Sequence, residues 1–371
     1  MFRYTLLCAV GAALLSADAI VYVGTYTQKA SKGIYAFRMK TGSGEMTPLG
    51  VVAEAKNPSY VVLHPNGKFL FSVNEHGDDQ GSGRITAYAI DRGTGKLTEL
   101  NSVLSRGAAP CHLSVDRTGK FLFVANYSSG NVASFGIAAD GKLSGPISNI
   151  QHRGSGPNRQ RQREPHAHSI NISKNNRWAV AADLGIDQLL VYGLGSDGSL
   201  TAANPASTAL KPGAGPRHFA FHPSQKFAFA INELDSTLTS LKFDAGRGRL
   251  EVIESVSTLP AGFGGNNSTA EVVVHPNGRF VYGSNRGHHS IAIFRVDPAT
   301  GKLTAAGHVS TEGRTPRNFN IDPTGNFLLA GNQDTDTVVV FKIDAATGGL
   351  TPTGQKLEVS MPVCVKFLSV K

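Results

Sequence analysis

Cysteine is scarce in this chain, with 3 among 371 residues. Cys8, Cys111 and Cys364 form no C-x-x-C pair, which excludes a cysteine-built zinc or haem site. Cys111 and Cys364 read as buried thiols. Charged residues are only 17% of the chain while hydrophobic residues are 40%, which excludes a disordered polymer. Basic residues outnumber acidic ones, 36 to 27, but they are scattered, and no nucleic-acid-binding module is evident. Metal-ligand spacing is missing, and so is a Gly-x-Ser-x-Gly nucleophile elbow. Neither a metal nor another cofactor is expected, and an acyl-enzyme route has no support. No hydrophobic run reaches the roughly 20 residues of a membrane-spanning helix. The run from Leu6 to Leu15 follows Arg3 and precedes Ala17-Asp18-Ala19, a small-x-small site. That order predicts a signal peptide over residues 1–19 and a periplasmic or secreted protein beginning at Ile20. The mature chain has no membrane span.

What the chain has is glycine, 42 residues, together with 19 Phe, 9 Tyr and many β-branched residues. This composition favours short strands joined by turns. One phrase recurs with a spacing of about 50 residues. It reads PSYVVLHPNGKFLFSVN from Pro58 and PCHLSVDRTGKFLFVAN from Pro110. It returns from Pro165, Pro216, Ala270 and Pro316. The leading aromatic of its second strand falls at Phe69, Phe121, Trp178, Phe227, Phe280 and Phe327. Five residues later comes Asn74, Asn126, Asp183, Asn232, Asn285 or Asn332. A third strand, a Gly-x-Leu turn and a fourth strand complete each unit. The termini supply a seventh unit, with second to fourth strands from Ile20 onwards and a first strand at Pro362 to Leu368. The expected fold is all-β: residues 20–371 form one seven-bladed β-propeller of four-stranded antiparallel blades, the ring closed by N-terminal strands pairing with the C-terminal strand.

In such a ring the start of each first strand and the end of each second strand open on one face, around a central funnel. These positions carry Cys111, His112, His166, His168, Arg217, His218 and Arg317, and Glu75, Tyr127, Glu233, Arg286, His288 and His289. The segment 151–164 enters the same face with Arg153, Arg159, Arg161 and Arg163. The recurring Asn and Asp, and the His-Pro pairs at His64, His222 and His275, read as turn or packing residues. His166, His168, Arg217, Glu233 and Arg286 break the repeat's pattern and read as functional. Arginine holds carboxylate or phosphate, and a histidine or glutamate can activate water. A small anionic ester or lactone is the substrate class these residue types suit. No feature points to a protein partner, and a monomer is expected.

The phrases VGTYT at Val23, PHAHS at Pro165, GPRH at Gly215, INELDST at Ile231, SNRGHHSIAIF at Ser284 and PVCVKF at Pro362 run in order along the chain. In these the chain resembles the 6-phosphogluconolactonase family of seven-bladed propellers. The resemblance implies hydrolysis of 6-phosphogluconolactone, a step of the cytoplasmic pentose phosphate route, without a known cofactor. The family also includes a fungal 3-carboxy-cis,cis-muconate cyclase, which forms a lactone. A lactone-forming cyclase and a non-catalytic extracellular binding propeller are therefore the alternative readings. The cyclase's site implies His168, Arg217, Glu233 and Arg286 as catalytic residues here. In a lactonase, Arg217 and Arg286 would bind the anion and oxyanion, and His168 or Glu233 would be the base. His166, His112, Asn232, Asn285 and Arg317 are the expected substrate contacts.

Overall fold

The structure, a computed structural model, describes residues 18–76 and 81–370. Its strands form seven four-stranded antiparallel sheets, and the only helical turn among the described residues is Gln333–Thr335. Blade 1 joins the first and last strands of the described residues. Strand Pro362–Val370 pairs with Asp18–Thr25, which pairs in turn with Gly33–Lys40 and Met46–Glu54. Blades 2 to 7 follow in chain order, and their innermost strands are Val61–Leu63, Pro110–Val115, Ala167–Ile172, Pro216–Phe221, Thr269–Val274 and Pro316–Ile321. Each innermost strand touches those of the blades before and after it, and Pro362–Val370 touches both Val61–Leu63 and Pro316–Ile321. The ring is therefore closed. The segment read as a signal peptide lies outside the described residues except for Asp18 and Ala19, which begin the strand Asp18–Thr25.

The repeated aromatic and the repeated turn glycine prove to be two halves of one contact. Phe69 of blade 2 sits on Gly141 of blade 3, Phe121 on Gly198, Trp178 on Gly248, Phe227 on Gly301, Phe280 on Gly348, and Phe327 on Gly44 of blade 1. Ile20 takes the aromatic's place against Gly95 and completes the circle. A Cβ on any of the six glycines under an aromatic would lie 2.3–2.5 Å from the ring. All seven glycines also have φ between +69° and +86°, a left-handed region open to glycine and costly for other residues. The two demands fall on one atom, so glycine is required twice over.

The His-Pro histidines add a second inter-blade link. Nδ1 of His64 accepts the backbone N–H of Asn66, which leaves Nε2–H to donate to the Gly119 carbonyl at 2.8 Å. His222 and His275 reach the carbonyls of Gly278 and Gly325 in the same way, at 2.7 and 2.9 Å.

Two glycines separate the packing cost from the backbone cost. Gly50 is left-handed with no atom near its would-be Cβ, whereas Gly248 is left-handed with the Trp178 indole 2.4 Å away. Gly50→Ala is expected to destabilise by about 1 kcal/mol. Gly248→Ala adds an overpacking cost of about 1–3 kcal/mol. Urea unfolding of both variants measures the difference, and equal losses would show that the ring-on-glycine contact contributes nothing.

Candidate active site

The site is made by a local irregularity that the inner strands share. In six of the seven, pairing with the second strand slips by one residue near the start. The extra residue of such a bulge leaves the ladder and re-aims its side chain. Cys111, His168, Arg217 and Arg317 are extra residues of this kind, each lying between two paired neighbours. The next residues along are His112, Ser169, His218 and Asn318. The channel consequently carries two layers of polar side chains.

The first layer lines a funnel of about 310 Å³, whose walls are Glu75, Cys111, Tyr127, Arg161, His168, Glu233, Ser268, Arg286 and Arg317. Glu75, Tyr127, Glu233 and Arg286 each follow the recurring Asn, so one repeat position supplies four wall residues. A larger groove of about 590 Å³, lined by Phe69, Phe121 and turn residues between blades 2 and 3, has no ion pair in its walls. The titratable groups gather in the funnel.

Glu233 is the hub of the funnel. Its Oε2 accepts Nε of Arg217 at 2.9 Å and lies 2.8 Å from Nη2 of Arg286. Its Oε1 accepts Nη2 of Arg161 at 2.7 Å, and the same nitrogen donates to the Tyr127 hydroxyl at 3.1 Å. Burial alone would raise the Glu233 pKa, but Arg286, Arg217 and Arg161 together outweigh it and hold the group at about 2. Arg217 is also spent on the Ala270 carbonyl at 2.7 Å, one layer below the funnel floor. Arg286 donates to the Thr269 carbonyl, and its buried Nε has no acceptor among the described residues. Burial lowers Arg286 to about 10, against the pull of Glu233, so it remains cationic at neutral pH.

Across the funnel the Tyr26 hydroxyl donates to the Glu75 carboxyl group at 2.9 Å, and the Ser59 hydroxyl donates to the same group. Arg317 stacks over the Tyr26 ring at 5.2 Å and donates to its hydroxyl at 3.0 Å. His168 is buried, and its pKa is pushed well below the ordinary 6.5, first by burial and then by Arg217, His218 and Arg317. It is therefore neutral, with a lone pair available at physiological pH. Cys111 lies 3.7 Å from His168 Nδ1, but burial pushes its thiol pKa upward, so the pair is no thiolate nucleophile.

Of the residues expected to be catalytic, His168, Glu233 and Arg286 share the funnel, with Arg217 beneath them bonded to Glu233. Of the expected substrate contacts, only Arg317 is in its walls. His166 stands behind, stacked on Tyr127 with centroids 4.5 Å apart. Asn232 and Asn285 lie outside the funnel walls. Both are buried, and their amides donate to Thr239 and to the Thr258 carbonyl inside the sheets. His112 too lies outside the funnel walls. The bulge at Cys111 sets it one layer deeper, where it packs on Tyr60 and joins His218, Glu271 and Lys366 around a 250 Å³ cavity at the other mouth. Sequence reasoning left Glu75, Tyr127, Tyr26 and Arg161 without roles, although Glu75 and Tyr127 share the position of Glu233 and Arg286. Among the described residues no set of three or more His, Cys, Asp or Glu is placed to hold a metal ion.

Because the folded pKa of Glu233 is about 2 against an ordinary 4.5, its ionisation stabilises the fold above pH 4.5. That contribution, about 3 kcal/mol, fades as pH falls towards 2. Unfolding titrations at pH 5 and pH 2 are expected to show a larger acid loss in the wild type than in Glu233→Gln. Identical losses would show that Glu233 is not the hub.

Comparisons with known proteins identify the family. The family model described as lactonase, seven-bladed β-propeller, matches residues 20–367. A protein of Bacillus subtilis named 6-phosphogluconolactonase is 43% identical over 349 residues, covering 94% of this chain and 98% of its own. One of Pectobacterium carotovorum with the same name is 37% identical over 82% of this chain and 84% of its own. The solved structure of the Pseudomonas aeruginosa periplasmic gluconolactonase PpgL superposes with a TM-score of 0.90 at 34% identity, covering 96% of this chain and all of that one. The chain belongs to the lactonase family of seven-bladed β-propellers.

Proposed function

We propose that this lactonase-family enzyme opens a sugar lactone by direct attack of water on the ring carbonyl. The observation that carries the reading is the neutral His168, which shares the funnel walls with Arg161, Arg286 and Arg317. His168 takes a proton from the attacking water as its oxygen bonds to the carbonyl carbon. The carbonyl electrons move onto its oxygen, and Arg286 and Arg317 stabilise the resulting oxyanion. As the tetrahedral intermediate collapses, the ring C–O bond breaks and the ring oxygen takes the proton held by His168. The products are a carboxylic acid and a hydroxyl on one open chain, so one lactone and one water are consumed and nothing is left over.

Between the two bases that the sequence left open, this reading takes His168. Both Glu233 oxygens are occupied by guanidinium groups and its pKa is about 2, so it has little proton affinity to offer. Its part is to hold Arg161, Arg217 and Arg286 together. The funnel walls carry three guanidinium groups, with that of Arg217 beneath them, against two acidic side chains, Glu75 and Glu233, which suits a substrate with negative charge. The Pseudomonas relative is called periplasmic, which is compatible with export of this chain by residues 1–19.

His168→Ala is expected to lower kcat/KM for a gluconolactone by about 10²–10⁴-fold. The wild-type kcat/KM is expected to stay level as pH falls to 6.5 and to decline only below it, since the free enzyme's His168 titrates below that value. A pH-stat assay with freshly prepared lactone measures both effects. An acid limb centred above pH 6.5, or an active His168→Ala protein, would remove His168 as the base.

A further inference from the structure

Four arginines converge on the funnel, and they are not equivalent. Arg217 has a side chain only 3% exposed and is bonded to Glu233 and to the Ala270 carbonyl. Arg286 is 13% exposed and bonded to Glu233 and the Thr269 carbonyl. Arg317 is held over Tyr26. Arg161 differs from all three, with a side chain 41% exposed at the mouth. It also comes from the connection between blades 3 and 4, not from the repeat. A single nitrogen, Nη2, makes both of its described bonds, to Glu233 and Tyr127, and the rest of the guanidinium fork makes none that the structure records.

The anchoring around Arg161 is built for position. The neighbouring Gln162 is fully buried, and its amide donates to the Leu184 carbonyl at 2.8 Å and to Asp187 at 2.7 Å. Its backbone carbonyl accepts the N–H of Gly156 at 2.8 Å, which folds the segment back on itself. The backbone beneath Arg161 is thus fixed while its side chain meets solvent. His166 stacks on Tyr127, the second partner of Arg161, and keeps that ring in place.

We infer that Arg161 reads the charge of the substrate: it leaves Glu233 for a phosphate or carboxylate carried at the end of the lactone remote from the ring carbonyl. This inference rests on the proposed lactone hydrolysis. Arg161 can leave because Arg217 and Arg286 continue to neutralise Glu233 through Oε2. An incoming dianion offers a bidentate partner where Glu233 offers one oxygen. The move also uncovers Oε1 of Glu233, whose described side-chain partner is Arg161 alone, for a hydroxyl of the sugar. A neutral lactone gives Arg161 no reason to move and leaves Oε1 capped. Discrimination between charged and uncharged lactones then resides in one side chain at the rim, while the reacting groups lie deeper.

The test compares Arg161→Gln with wild type on 6-phosphogluconolactone and on unphosphorylated gluconolactone. Activity is expected to fall on both, with the loss on the phosphorylated substrate at least tenfold greater and carried by KM. Arg161→Lys, which keeps the charge without the fork, should recover part of that difference. Equal losses on the two substrates would overturn the inference and leave Arg161 as a positioning residue for Glu233. Calorimetric binding of 6-phosphogluconate needs no turnover, so it separates this inference from the hydrolysis reading. Tight binding that is lost in Arg161→Gln would support the charge reader even in a protein that opens neither lactone. Binding that is unchanged in the variant would overturn it even in an active lactonase.

Discussion

An aromatic ring pressed on a glycine is the contact on which the molecule depends. A four-stranded blade has two faces to cover and too little core to stand alone. Each blade here covers its neighbour by laying the first aromatic of its second strand on the next blade's turn. The turn must present no side chain there, and its backbone must be left-handed, so Gly44, Gly141, Gly198, Gly248, Gly301 and Gly348 satisfy both conditions at one atom. Ile20 against Gly95 closes the set. Closure is secured a second time by strand pairing, because the first and last strands of the described residues lie in one sheet. No blade can leave the ring without breaking that sheet or two ring-on-glycine contacts.

Such a rigid ring can hold a channel that would otherwise be unfavourable. Burying guanidinium groups costs several kcal/mol each unless they are paired and fully hydrogen-bonded. The bulges set Arg217, Arg317 and His168 into the channel, and Glu233 compensates Arg161, Arg217 and Arg286 at once. Removing Glu233 would leave like charges facing one another. The second layer follows the same logic with other residues: Glu271 accepts His218 Nδ1 at 2.8 Å as well as the Asn318 amide, and Lys366 donates to the Tyr60 hydroxyl at 3.0 Å. Between the two layers the void lined by Tyr60, Cys111, His168, Arg217 and His218 is only about 10 Å³.

The blade count, the strand order and the ring closure were legible in the sequence because they rest on periodicity. A fixed offset of five residues from Phe69 to Asn74, repeated six times, leaves little freedom of register. The position of His168 among arginines was legible because it departs from that repeat. What the repeat concealed was the bulge. A one-residue slip has no signature in an alternating strand, and it carried His112 from the expected funnel to the layer below. Asn232 and Asn285 end their strands just before Glu233 and Arg286, and their amides bond within the sheets, to Thr239 and to the Thr258 carbonyl, while the residue after each lines the funnel. Arg161 lay in a segment with three other arginines, and nothing in the spacing marked which of them was anchored by a buried neighbour.

The arginines that would bind an anion also weaken the base that must act on it. Arg217 and Arg317 add to burial in holding His168 far below its ordinary pKa, so in the empty funnel it is neutral and also a poor proton acceptor. In the proposed reading a negative substrate resolves this conflict. Its charge cancels part of the cationic field, and the oxyanion forming at Arg286 and Arg317 cancels more as the proton moves. The proton affinity of His168 thus rises along the reaction coordinate, when a base is needed, and falls again once the product departs. A neutral lactone would bring only the second of these contributions. Substrate charge would then enter the rate as well as the binding, through the field at one buried imidazole and not through any contact with it.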